Sequence, residues 1–425
     1  MKTVLDNCLV MFGRKLMPKQ VVLDKGKIDA ILELGVKIPP CKIIDCKQGI
    51  LLPGMIDAHV HFRVPGAEQK EDWITGSRAA IAGGVTTVID MPNNNPSCTS
   101  QEALEKKDEI VKKDSICNYA FHFGASNDNL EELGKVEGIA SFKVFMGSST
   151  GNLLITDKQK LEEIFTVAKN RNIVVAVHAE DEEMLNDNVA SAKDLGWNNA
   201  SYHSKIRSNE VEAKAIADAL DLQKMVGNKL HICHVSTKEG IELIRAAKKE
   251  GRAVSCEVTP HHLFLDETAT HKLGNFAKMN PSLKSNADVK ALWVGIADGT
   301  VDLIATDHAP HTRAEKEKPY WEAPSGVPGV ETMLLLMMDA VNKEHLSLQR
   351  VVELCSTNPA ALYGLGRKGK IKVGMDADLV LVNLEKKTTV KNGKLQTKCN
   401  WSPFALWELK GSVEKVFVMG KEVRL

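Results

Sequence analysis

The chain has 425 residues, with 55 Lys+Arg balanced by 55 Asp+Glu and 43% apolar residues. Zero net charge excludes a protein built on a basic field for nucleic acid or around an acidic tail, and this apolar content lies far from the disordered regime. Nine cysteines, odd in number and without a CxxC pair, argue against a disulfide framework and for a reduced, cytoplasmic setting.

The opening MKTVLDNCLV turns polar at once and lacks the apolar core of a signal peptide. Residues 1–50 hold short β-type runs, at 3–10 and 20–23, punctuated by Gly and Pro. From residue 51 the texture alternates. Apolar, β-branched runs at 52–60, 86–91, 117–124, 140–145, 173–178, 229–235, 253–258 and 302–306 are predicted strands. Amphipathic stretches at 72–82, 100–113, 157–170, 209–226, 237–249 and 288–297 are predicted helices between them. The run at 330–341 is too short to span a bilayer and carries Glu331 and Asp339. After about residue 370 the β texture of the N-terminus returns. This order predicts an α/β protein: a (β/α)8 TIM-type barrel over 51–365, with a small β-sandwich built jointly by 1–50 and 366–425. In such a barrel the chemistry sits at the C-terminal ends of the strands.

Those ends carry the unusual residues. The first strand closes on Asp57-Ala-His59-Val-His61-Phe-Arg63, and side chains two apart on a strand share a side, so His59 and His61 can converge on one metal ion. Alone, such a pair is as readily two surface or core histidines. The fifth run, however, ends in His178, the sixth holds His231 and His234, and the eighth delivers Asp307, His308 and His311. Independent core histidines have no reason to gather at strand ends, and neutral imidazole with carboxylate suits zinc. The fourth run places Lys143 among apolar neighbours, where a lysine lowers its pKa, pairs with a carboxylate or snorkels out. His231 alternates with Cys233 rather than His234 and is expected to face away from the ligands. Cys233 reads as core, His261 and His262 read as packing or as support behind the ligands, and His122, His203, His271 and His345 fit no motif.

Taken in order, GMIDAHVHFRVPG, GGVTTVIDMPNNNP, FKVFMGSSTG, VAVHAE, HVST, EVTPHHL, KMNPSL and ATDHAPH resemble the dihydroorotase branch of the cyclic amidohydrolase family over almost the whole chain. The resemblance implies two zinc ions at the barrel mouth, His59 and His61 on the more buried one and His178 and His234 on the other. Lys143, carboxylated by carbon dioxide, and a hydroxide would bridge them. Asp307 would bind the first ion and act as catalytic acid and base in the reversible interconversion of N-carbamoyl-L-aspartate and (S)-dihydroorotate, a step of pyrimidine biosynthesis. Hydantoinases, dihydropyrimidinases and allantoinases share these ligands, and they remain alternatives. A non-catalytic scaffold of the same fold is a further one, set against the retention of every ligand.

Dihydroorotate differs from those rings in carrying a carboxylate. Arg63, two residues beyond His61, can bind it through two parallel hydrogen bonds. By resemblance, Asn93 and His311 complete that site, while His61, Asn280, Ser325 and Gly326 also face the substrate. Asn94, Ser282, Lys284 and Ser325 depart from the commoner family residues. The implied partners are the small-molecule substrate, a second copy of the chain and aspartate transcarbamoylase, with no nucleic acid or membrane. Segments 147–151 and 312–325 are the expected mobile loops.

Overall fold

The computed structural model describes residues 2–13, 15–148 and 153–425. The chain enters through β1 (Thr3–Phe12), β2 (Lys15–Asp24), β3 (Lys27–Leu32), β4 (Lys42–Asp45) and β5 (Ile50–Pro53). The barrel strands are β6 (Met55–Val60), β7 (Val85–Asp90), β8 (Asn118–Gly124), β9 (Ser141–Phe145), β10 (Val174–His178), β11 (Lys229–Ile232), β12 (Val254–Val258) and β13 (Leu303–Ile304). The chain leaves through β14 (Leu379–Thr389), β15 (Glu408–Val418) and β16 (Lys421–Val423).

The two chain ends meet in one sheet, in the order β16-β15-β14-β5-β1-β2-β3 with β4 also paired to β1. Its join is antiparallel pairing of β14 with β5, Leu379 opposite Pro53 and Val382 opposite Ile50. Leu5, Val21 and Ile28 from the N-terminal half share a core with Leu379, Leu381 and Phe417 from the C-terminal half, which folds the sheet over a common apolar interior. The predicted strand at 52–60 divides here into β5 and β6. At Gly54, between them, a Cβ would lie 2.1 Å from the Thr86 hydroxyl oxygen. Only a residue without a side chain passes from sheet to barrel at that point.

Strands β6 to β13 follow one another in space as in sequence, all parallel. β13 is shorter than predicted, and side chains finish what its backbone leaves open. Thr306 donates its N–H to Asp57 Oδ1 (3.0 Å) and its hydroxyl to Oδ2 (2.5 Å), while His61 N–H donates to the His308 carbonyl (2.8 Å). These bonds join the first strand to the last and close the barrel.

The predicted helices form close to their expected bounds, and side chains of Asp72, Ser100, Asp157, Thr237 and Ser285 accept N–H groups at their starts. Of the helices of ten or more residues among the described ones, two were not anticipated, Glu182–Asp194 and Met333–Asn342. The second is the apolar run at 330–341, buried and packed on β15. Among the described residues, no helix is long and apolar enough to cross a membrane.

Candidate active site

His59, at the end of β6, and His61, just past it, meet Asp307, which follows β13. Both rings present Nε2 to one carboxylate oxygen, Asp307 Oδ1, at 3.3 Å from His59 and 2.9 Å from His61. The opposite nitrogens are held by acceptors: His59 Nδ1 by Glu257 Oε1 (2.5 Å) and His61 Nδ1 by Asn93 Oδ1 (2.8 Å). Each ring therefore carries its proton on Nδ1 and turns a bare Nε2 inward. Two lone pairs and an anion converging in a buried place need a cation between them. A proton on His59 Nε2 meets the same demand. Burial works against a charge on His59, yet Glu257 and Asp307 outweigh it and lift its pKa to about 10. Burial also pushes Asp307 up, but His59 and His61 prevail and hold it well below the usual carboxylate range.

A second pair stands beside the first. His178 Nδ1 faces His234 Nε2 at 3.0 Å, and His178 Nε2 faces Glu180 Oε2 at 2.8 Å. Burial keeps both imidazoles neutral, His234 far below its ordinary range. With the His178 proton directed at Glu180, its Nδ1 is bare toward His234. Glu180 stays ionised: burial raises its pKa, but Arg207 and His178 bring it to about 2. The His59 and His234 rings lie 5.3 Å apart, so the two pairs form one cluster.

Lys143, fully buried on β9, lies among these rings, and its charge lowers the proton affinity of His59, His178 and His234 alike. Its neighbours are Cys233 Sγ at 3.1 Å and the Phe145 ring at 5.0 Å, and among the described residues no carboxylate pairs with it. The donor set fits metal: the imidazoles of His59, His61 and His178 with held tautomers, His234 with a buried Nδ1 that has no hydrogen-bond partner, a carboxylate, and an amine without a counterion among the described residues.

The expectation for His231 is corrected. His231 and Cys233 both point inward, His231 Nε2 meeting Glu257 Oε2 at 3.0 Å and Cys233 meeting Lys143. Alternation governs only the regular strand, which ends at Ile232, and His234 then turns back with φ of +35°. Arg63 (φ +65°) and Asp307 (φ +46°) take the same left-handed backbone. Such residues cost of order 1–3 kcal/mol each and gather where geometry serves function.

A small cavity is lined by His61, Arg63, Asn93, Asn280, Asp307, Ala309, Ser325 and Gly326. Six expected substrate contacts thus share one wall with Asp307. Arg63 and Asn93 also line an adjoining cleft of about 710 Å³. His311 stands behind that wall, with Nε2 3.2 Å from Arg63 Nη2 and 3.0 Å from the Ser325 carbonyl. His203 acquires a role that no motif suggested. Its Nε2 lies 3.1 Å from Asn280 Oδ1 and its Nδ1 2.8 Å from the Tyr320 hydroxyl, which steadies Asn280 at the cavity. His308 is a brace, between Glu71 (3.2 Å) and the Gly329 N–H (3.1 Å).

Three of the four departures from family residues have local explanations. Asn94 accepts from Lys107 Nζ (2.8 Å) and donates to the Val64 carbonyl (3.0 Å). Ser282 and Lys284 bind one another (2.9 Å) and both donate to the Arg207 carbonyl. Positions 149–151 of the expected 147–151 loop lie outside the described residues. Segment 312–325 is pinned: Lys316 Nζ donates to the carbonyls of Lys278, Pro324 and Gly326 at 2.9–3.0 Å.

Residues 50–423 match the model of the amidohydrolase family. A dihydroorotase of Methanosarcina mazei is 40% identical over 410 residues, 94% of this chain and 89% of that protein. A dihydroorotase of Halobacterium salinarum is 40% identical over 388 residues, 91% of this chain and 89% of that one. Among solved structures, an L-hydantoinase (dihydropyrimidinase) from Arthrobacter aurescens superposes with a TM-score of 0.96 at 30% identity, covering 99% of this chain and 95% of its own.

Proposed function

Since this chain belongs to the amidohydrolase family and is a cyclic amide hydrolase, we propose that it is a zinc-dependent dihydroorotase, interconverting N-carbamoyl-L-aspartate and (S)-dihydroorotate in pyrimidine biosynthesis. One observation carries the reading: the guanidinium of Arg63 and the carboxylate of Asp307 line the same small cavity. A carboxylated ring needs a fixed cation beside the reacting amide, and neutral hydantoins and dihydropyrimidines do not.

His59, His61 and Asp307 would hold one ion and His178 and His234 the other, with Lys143 as its carbamate shared between them. The chemistry such a pair supplies when bound is polarisation of the ring amide and activation of water at neutral pH. The chain's own part is proton transfer and orientation. Asp307, kept ionised by its histidines, takes the proton of the attacking water and delivers it to the ring nitrogen as the amide C–N bond breaks. In the synthetic direction it returns that proton and water leaves. Arg63 and Asn93, with His311 behind them, hold the carboxylate, and His61, Asn280, Ser325 and Gly326 meet the ring. The catalytic unit is proposed to be 51–365, with 1–50 and 366–425 as its companion domain, in a cytoplasmic enzyme that assembles with its own copies or with aspartate transcarbamoylase.

The second reading, a hydantoinase or dihydropyrimidinase, draws on the likeness to the Arthrobacter aurescens L-hydantoinase (dihydropyrimidinase). Ring-opening assays on dihydroorotate, hydantoin, dihydrouracil and allantoin separate the two. Dihydroorotate is expected to be preferred, and Arg63→Ala to lower kcat/KM for it by about 30-fold or more while leaving neutral rings unaffected. Unchanged dihydroorotate turnover in Arg63→Ala defeats the reading. Metal analysis of the purified protein, followed by chelation and restoration with zinc and bicarbonate, tests the cofactor.

A further inference from the structure

We propose that Lys70 is a positioning residue that fixes the tautomer of His311, so that its Nε2–H joins Arg63 in binding the substrate carboxylate. The inference rests on the dihydroorotase reading for the identity of that carboxylate.

Lys70 follows β6 in the turn after Arg63 and lines the 710 Å³ cleft together with Arg63 and Asn93. Its side chain is only 17% exposed. Nζ lies 3.1 Å from His311 Nδ1 and 3.0 Å from Glu315 Oε1. Glu315 is itself held, because its other oxygen accepts the Thr312 N–H and hydroxyl, both at 2.9 Å. The ammonium is thus aimed at the ring by a fixed anion.

An ammonium offers protons and no lone pair. His311 Nδ1 must accept from it, and a neutral ring then carries its hydrogen on Nε2. The ring is fully buried, and burial together with Arg63, Lys70 and Lys316 keeps it neutral. In this tautomer Nε2–H points to the Ser325 carbonyl at 3.0 Å, beside Arg63 Nη2 at 3.2 Å. Two donors therefore stand side by side where an anion can replace the carbonyl as acceptor. In the other tautomer Nδ1–H would oppose the ammonium, and the bare Nε2 would oppose the Ser325 oxygen. It would also accept from Arg63 and draw the guanidinium away from substrate. Without Lys70, nothing else that contacts Nδ1 among the described residues forbids that state.

The test uses the full-length metal-loaded enzyme. Lys70→Met keeps the aliphatic stem and removes the donor. Its KM for dihydroorotate is expected to rise about tenfold or more, with kcat changed by less than about threefold. In ¹⁵N-histidine spectra, with the His311 signals identified by their loss in His311→Gln, wild type is expected to show a pyridine-type Nδ1 and a pyrrole-type Nε2. Lys70→Met should lose that pattern and Lys70→Arg should restore both pattern and KM. Glu315→Gln, which loosens the ammonium without removing it, should shift both readouts less and in the same direction. An unchanged KM or an unchanged tautomer in folded Lys70→Met overturns the proposal. If wild type does not open dihydroorotate, the dihydroorotase reading falls, while the resonance pattern still decides the tautomer.

Discussion

Glu257 touches two histidines at once, His59 Nδ1 through Oε1 and His231 Nε2 through Oε2, and it is fully buried on β12. A carboxylate so placed sets the tautomer of His59 and makes it a better ligand. Glu257→Gln is expected to weaken metal binding about 10–100-fold, measured by chelator competition on folded protein; unaltered affinity would show that Asp307 alone orients the ring. Sequence reasoning missed Glu257, Glu180 and Lys70, although it singled out His59, His178 and His311, the residues they touch. The signal for Glu257 was there, a lone charge in the apolar run SCEV, the same sign that singled out Lys143. Glu180 stands two residues beyond His178 in VAVHAE, where its pairing with that ring was open to reading, whereas Lys70 gave no signal because its partner His311 lies 241 positions away. Only the closed barrel brings such pairs together.

Elements explain why those residues hold still. Lys107, on the helix Gln101–Asp114, is buried and reaches the far end of β7, pairing with Asp90 at 2.6 Å and donating to the Met91 carbonyl (3.0 Å) and to Asn94. Asp90 in turn accepts the Phe62 N–H at 2.7 Å, next to His61. One ion pair therefore locks a helix and two strand ends beneath His59 and His61. Lys107→Met leaves the Asp90 charge buried and unpaired, and should cost about 3–5 kcal/mol in denaturant unfolding. Adding Asp90→Asn should recover part of the loss; a double variant no more stable than Lys107→Met would mean that packing, not charge, is responsible. The periodicity of apolar residues located these elements well. It failed where side chains replace the ladder, as at β13, or where one glycine divides a run, as at Gly54, because neither event leaves a hydrophobic trace.

At the scale of the molecule, the two sheets are joined through segment 396–398, which rests on two carboxylates. Gln396 N–H donates to Glu331 (2.7 Å), and Thr397 and Lys398 donate to Glu71. A few residues on, Trp401 Nε1 donates to the His311 carbonyl at 2.8 Å, so this join reaches the proposed carboxylate site. Burial raises the Glu331 pKa most, the N–H groups of Gln396 and Thr397 pull it back, and Glu71 adds to the rise, to about 7 from an ordinary 4.5. The folded state therefore holds this proton more tightly than the unfolded chain. Its contribution to stability is complete below about 4.5 and is lost as pH rises through about 7. Glu331→Gln keeps an acceptor for the Gln396 N–H and removes the titration. Urea unfolding between pH 5 and pH 9 should find the variant gaining on wild type with each step up to neutrality, with a constant advantage above it. Parallel profiles across that range would show that the Glu331 carboxylate is solvated when ionised and that the join is insensitive to pH.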